Sequence, residues 1–177
     1  SRTTAARAAI DVFLNLTKNG KEVDRFWPRM RALWKWRLDE AASRNHPADF
    51  DGEMQSFSRL LSSAAEYESL VSLWPLLEGM LHYLGRSEYR DFVWRNFEQY
   101  LLSEVKRDPA KAIQVFRLMH DQTEAPHSYY SNEARQIIET AVQQGESRRE
   151  TLLLVEQIAK SGNYTFKQIY DRYMNSS

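Results

Sequence analysis

Four histidines, at positions 46, 82, 120 and 127, are the side chains best suited to general acid–base or metal chemistry near neutral pH. No two of them stand at His-x-x-x-His spacing, which would turn two ligands toward one ion from a single helix face. His120 follows Ile113 by seven and Phe116 by four, so it shares their apolar face, and a hydrogen-bonded histidine at the core or its edge is expected there. His82 falls in a helical stretch; His46 and His127 fall in loops beside Pro47 and Pro126. Zero cysteines exclude a thiolate nucleophile, a cysteine-bound zinc and a disulfide framework. The six glycines, at 20, 52, 79, 85, 145 and 162, form neither Gly-x-Gly-x-x-Gly nor a loop ending in Gly-Lys-Ser/Thr, so no phosphate cradle is encoded. No serine lies in Gly-x-Ser-x-Gly. Acidic pairs such as Glu139/Glu146 and Asp49/Asp51 are what any charged helical surface produces. The expectation is a segment with no catalytic residue, no metal and no cofactor.

The most informative stretch is DRFWPRMRALWKWRLD at 24–39. At about 100° per residue, Phe26, Trp27, Met30, Leu33, Trp34, Leu38 and Ala41 fall on one helix face. Arg37 lies in the middle of that face and must find a carboxylate, because an unpaired buried charge is costly. Trp36 points the other way, toward the side shared by Arg25 and Arg29. Three readings are open for it. The favoured one packs Trp36 under the first or third helix as a second buried face. The others make Arg25, Arg29 and Trp36 a protein-docking anchor, or a platform on which a nucleic-acid base stacks. Glu22, Asp24, Asp39 and Glu40 dilute the positive charge and weigh against nucleic acid.

The elements that position these residues are helices. Few Gly and Pro, few Val/Ile/Thr runs and no sustained alternation leave little room for strands. Punctuation divides the chain into about nine helices, with apolar periodicity near 3.6 residues. The first covers 4–19 before Gly20, and the second 25–44 with Pro28 in its first turn and Asn45 to Pro47 after it. The third starts near Asp51, and a fourth covers 64–84, to be kinked or split near Trp74 by Pro75. Ser87 is expected to start the fifth, running to 107. Asp108 and Pro109 open the sixth, and the seventh covers 131–144. Ser147-x-x-Glu150 and Thr165-x-x-Gln168 read as capping boxes for the last two. The wide apolar bands of the fourth helix (Tyr67, Leu70, Val71, Trp74, Leu77, Leu81, Leu84) and the fifth (Tyr89, Val93, Phe97, Tyr100, Leu101, widened by Trp94 and Val105) demand cover on more than one side. Short connections and helix-pair starts 39 residues apart, at Asp108 and Ser147, predict an array of antiparallel pairs, an α-solenoid of HEAT or TPR type, rather than a closed bundle.

Composition bounds the partners. With 24 Lys plus Arg against 24 Asp plus Glu, no long-range field draws the molecule to phosphates or anionic lipid. The most apolar stretch, 70–84, is interrupted by Ser72, Pro75, Glu78, Gly79 and His82 and is too short and too polar to span a bilayer of about 30 Å. The absence of cysteine fits a reducing compartment, and a cytoplasmic location is expected. The sequons at Asn15, Asn163 and Asn175 are expected to be incidental. A start without Met or signal region reads as a fragment of a longer chain.

The run NEARQIIETAVQQG at 132–145, followed by ESRRETLLLVEQIAKSG at 146–162 and YTFKQIY at 164–170, resembles the C-terminal helical repeats of large bacterial multidomain proteins. Among these are STAND-type NTPases and sirtuin-like proteins of antiphage defence. The resemblance covers these residues well and the helix after Asp108 loosely; the polar stretch 121–128 departs from a tight repeat connection. It implies a sensor or scaffold arm with the catalytic domain upstream, and it carries over no catalytic residue, because the matching positions are caps and core.

The expectation is therefore one α-helical repeat domain over 1–177 that acts as a non-catalytic interaction, sensor or scaffold module of a larger intracellular protein. Its partner is another protein or another domain of the same polypeptide. The alternative is a HEAT-like nucleic-acid-binding or base-processing domain using Trp36 with Arg25 and Arg29, plus a carboxylate from a neighbouring helix.

Overall fold

The computed structural model describes residues 2–19, 24–44, 50–123 and 130–175. Their backbone forms ten α-helices: α1 (Arg2–Lys18), α2 (Trp27–Ser43), α3 (Phe50–Arg59), α4 (Leu61–Tyr67), α5 (Leu70–Leu81), α6 (Arg90–Glu104), α7 (Pro109–Asp121), α8 (Asn132–Gln143), α9 (Arg148–Lys160) and α10 (Lys167–Met174). Two short 3-10 turns, Asp24–Phe26 and Leu84–Arg86, precede α2 and follow α5. There is no strand among the described residues, and the protein is all-α. Gly20, His46, Pro47, Pro126 and His127, which the sequence places in connections, lie outside the described residues.

Helix starts follow the local chemistry where a capping side chain reaches a free N–H of the first turn. Asp108 accepts the Lys111 N–H at 2.9 Å with Pro109 behind it, and Ser131 accepts the Ala134 N–H at 3.0 Å. Ser69, at ψ 157°, accepts the Ser72 N–H at 3.2 Å and divides the expected fourth helix in two. That break falls at Glu68–Ser69 rather than at Pro75, which sits inside α5 without ending it. The carbonyl of Val71, deprived of its helical partner by the proline ring, is on the exposed side of α5, where water can take its place. Ser87 does not start a helix: it is buried, follows the 3-10 turn, accepts the Tyr89 N–H at 3.1 Å, and α6 begins at Arg90.

The two expected capping boxes are not formed. Ser147 precedes α9 with helical φ and ψ, and its hydroxyl donates backward to the Ala141 carbonyl at 2.6 Å. Arg148 Nε likewise donates to Val142 O at 3.0 Å, so both residues close the C-terminus of α8 instead of opening α9. Thr165 spends its N–H and hydroxyl on Asn163 Oδ1, at 3.0 and 2.6 Å, and Phe166 is the residue before α10. The end of α9 is a Schellman turn: Gly162 N–H reaches Ala159 O at 2.9 Å, Asn163 N–H reaches Ile158 O at 3.3 Å, and Gly162 takes φ +93°.

Two compact units are present, Ser1–Phe97 and Glu98–Ser177, the division falling inside α6. In the first, α1 packs on α2 and α3, α2 on α5, and α3 on α4. Its core holds Ile10, Phe13, Trp34, Leu38, Phe50, Met54, Phe57, Leu73 and Leu77. Trp34 stacks on Phe57 with centroids 5.6 Å apart and planes within 6°, a pairing worth about 0.5–1.5 kcal/mol beyond burial. Gly79 lets α2 and α5 approach closely, since a Cβ there would meet Leu38 Cδ1 at 3.3 Å. In the second unit α7 touches both α8 and α9, and α9 carries α10. Leu101, Val105, Ile113, Phe116, Ile137, Ile138, Leu154, Ile158 and Phe166 are buried there.

Candidate functional site

Trp36 is 48% exposed, so its expected burial under a neighbouring helix does not occur. The neighbours of α2 cover the stripe of Trp27, Trp34, Leu38 and Ala41, and about half a turn away from it Trp36 faces solvent. Its ring is nonetheless held. The Arg37 guanidinium carbon lies 5.2 Å from the Trp36 ring centroid. That guanidinium is itself fixed by Glu53 of α3, with Nε to Oε2 and Nη2 to Oε1 both at 2.6 Å. Arg37 and Glu53 are 5% and 0% exposed, so the carboxylate expected for Arg37 is present and buried with it. Glu40 adds a second carboxylate to Arg37 and binds Arg2 and Arg44, while Thr3 Oγ1 donates to Glu53 Oε1 at 2.7 Å.

The predicted companions divide. Arg29 is exposed seven residues before Trp36, hence on the same stripe of α2, and makes no ion pair among the described residues. Arg25 is exposed in the 3-10 turn before α2, where its guanidinium carbon sits 4.7 Å from the Phe26 centroid. It is engaged with Phe26 rather than with Trp36. Lys35, next to Trp36 in α2, is matched by Asp39 at 2.6 Å.

A second constellation, which the sequence does not announce, surrounds Glu68 at the break between α4 and α5. Glu68 accepts from Trp27 Nε1 at 2.8 Å and from the Ser72 hydroxyl at 2.8 Å, and pairs with Arg31 Nε at 2.7 Å. Partial burial pushes its carboxyl up, but the hydrogen bonds from Arg31, Ser72 and Trp27 and the charge of Arg31 outweigh it and hold the group below its ordinary value. Trp27 also stacks on Tyr67 at 5.2 Å, so this carboxylate ties the start of α2 to the α4–α5 break.

In the second unit, His120 Nδ1 lies 2.9 Å from the Tyr130 hydroxyl, the hydrogen-bonded edge histidine expected. Burial lowers the affinity of the imidazole for a proton, against the opposing charge of Asp121. Burial and then the Glu98 charge push the Tyr130 phenol up. Ser131 donates to Glu98 Oε2 at 2.7 Å while accepting the Ala134 N–H, so its hydroxyl is committed to opening α8. Ser103 and Lys106 stand at Ser-x-x-Lys spacing. Ser103 Oγ, however, donates to the Tyr100 carbonyl at 2.6 Å, and Lys106 is exposed. Among the described residues no group of three or more His, Asp or Glu could hold a metal ion, and no helix is long and apolar enough to cross a membrane.

Compared with known proteins, the chain matches no family model, no curated protein and no solved structure at a significant level.

Proposed function

We propose that this chain is a non-catalytic interaction module that docks a protein, or another domain of its own polypeptide, on the Trp36 face of α2. The observation that carries the reading is the combination of exposure and fixation at Trp36: the indole is 48% exposed, yet its neighbour Arg37 is locked to a buried carboxylate. A rigid half-exposed tryptophan loses little conformational entropy on binding and offers a large apolar surface, the properties of an interface anchor. Arg29, on the same stripe and with no ion pair among the described residues, supplies a rim cation for an acidic or carbonyl-rich partner surface. Stacked helix pairs, scaffold or sensor action within a larger intracellular protein, and the antiphage-defence setting suggested by the resemblance are the context this reading favours.

The nucleic-acid alternative draws on the same indole but asks more of the charge. Arg25 and Arg29 supply two phosphate contacts at most, since Lys35 is matched by Asp39. Two contacts correspond to a salt slope of about −2 and only weak retention on duplex nucleic acid. Retention on single- and double-stranded DNA and RNA at two salt concentrations separates the readings. Weak binding, insensitive to Trp36→Ala, agrees with protein docking. Tight, salt-sensitive binding lost in Trp36→Ala transfers the site to the alternative.

A further inference from the structure

The face of α9 turned toward α10 forms an open apolar groove of about 390 Å³. Arg149, Leu152, Leu153 and Glu156 of α9 line it beside Tyr170 and Met174 of α10. Leu153 and Met174 are each 49% exposed, an unusual outlay of large apolar side chains on one small face. The four α9 positions follow i, i+3, i+4 and i+7, so they form one stripe about 10 Å long. The stripe carries a guanidinium at one end, a carboxylate at the other and two leucines between.

Such a stripe is complementary to itself. Laid antiparallel against a second copy, with a two-fold axis between Leu152 and Leu153, it sets Arg149 against Glu156 of the second copy at both ends and Leu152 against Leu153 in the middle. The same register places Lys160 opposite Gly145, which offers no side chain to clash with, and Arg148 opposite Gln157. Arg149 has no ion pair among the described residues, and Glu156 holds only the exposed Lys160, at 2.9 Å, so both ends can accept a partner. A second copy satisfies both ends at once, by the same pair used twice.

We infer that the chain forms a two-fold symmetric homodimer through the α9–α10 groove, with Arg149 and Glu156 exchanged between copies around a Leu152/Leu153 centre. The contact is short compared with the roughly 800 Å² per partner of a stable interface, so the dimer is of micromolar strength and weakens with salt. This goes beyond the Trp36 reading and does not depend on it.

Sedimentation analysis across micromolar concentrations tests it, with circular dichroism confirming that each variant is folded. The wild-type chain is expected to show a reversible monomer–dimer equilibrium that Trp36→Ala leaves unchanged. Arg149→Glu and Glu156→Arg each create two like-charge contacts and are expected to weaken the dimer at least about tenfold, and the double reversal to restore it to within about threefold. Leu153→Glu is expected to abolish it. A chain that is monomeric at every concentration, or a dimer indifferent to the single reversals, overturns the inference. Either result leaves the Trp36 reading standing, since that face is tested by its own variant.

Discussion

Arg37 and Glu53 bridge α2 and α3 by two parallel hydrogen bonds of 2.6 Å, and both side chains are withdrawn from solvent. The pair does two things at once. It satisfies a guanidinium placed in the middle of an apolar face, and it immobilises the cation against which the exposed Trp36 ring rests.

Removing one partner of this pair strands the other. Arg37→Met is expected to cost about 3–5 kcal/mol in urea denaturation, because Glu53 remains buried with Thr3 as its one other side-chain donor among the described residues. Arg37→Met combined with Glu53→Met is expected to recover most of that loss, since a well-packed apolar pair replaces a desolvated ionic one. A double variant no more stable than the single would show that the pair is not an isolated charge-balance unit.

Stability is expected to fall as the solution is acidified below pH 6.5, through His120. Burial holds its folded-state pKa below the ordinary 6.5, so the unfolded chain takes up the proton first and the folded state is penalised. The contribution is complete above 6.5 and is lost progressively on the way down to the folded-state value. Denaturation midpoints measured from about pH 7.5 down to about pH 5 check this, with His120→Gln expected to flatten part of the slope. An unchanged slope in His120→Gln would assign the acid sensitivity elsewhere.

Gly162 and Gly145 form a contrast within one unit. Gly162→Ala forces a side chain into φ +93° and is expected to cost about 1 kcal/mol, although nothing lies within 4 Å of the added carbon. Gly145→Ala meets equally open space without a positive φ and is expected to change stability by less than about 0.5 kcal/mol. Thermal melts of the two variants side by side decide it, and equal losses would mean that the Schellman turn is not what Gly162 provides.

What the sequence discloses and what it withholds follow a physical division. Buried stripes are periodic and therefore legible: Val93, Phe97, Tyr100 and Leu101 share one face and are all buried, although Tyr89, read on the same face, is 39% exposed. The start at Asp108 is legible because a carboxylate followed by proline stands where the first free N–H groups need an acceptor. Ser147 has the right type and offset, but the chain enters α9 already helical, and the hydroxyl turns back to α8. The direction of Trp36 was also legible; its cover was not, because whether a second layer lies on that side depends on elements distant in sequence. For the same reason the partners of Arg37 and Arg31 were unnamed: Glu53 and Glu68 stand 16 and 37 residues further along the chain. Val71 shows the converse error, an apolar residue assigned to a buried band that the structure leaves 60% exposed.

Photocrosslinking tests the central claim most directly. A benzophenone amino acid placed at Ala32, exposed one turn before Trp36, reports what touches this face in the native cell extract. The account predicts a discrete protein adduct that is resistant to nuclease, competed away by unlabelled chain and lost when Trp36→Ala is added, while the unfolding free energy of Trp36→Ala stays within about 1 kcal/mol of wild type. An adduct that disappears on nuclease treatment, or one indifferent to Trp36→Ala, would contradict it.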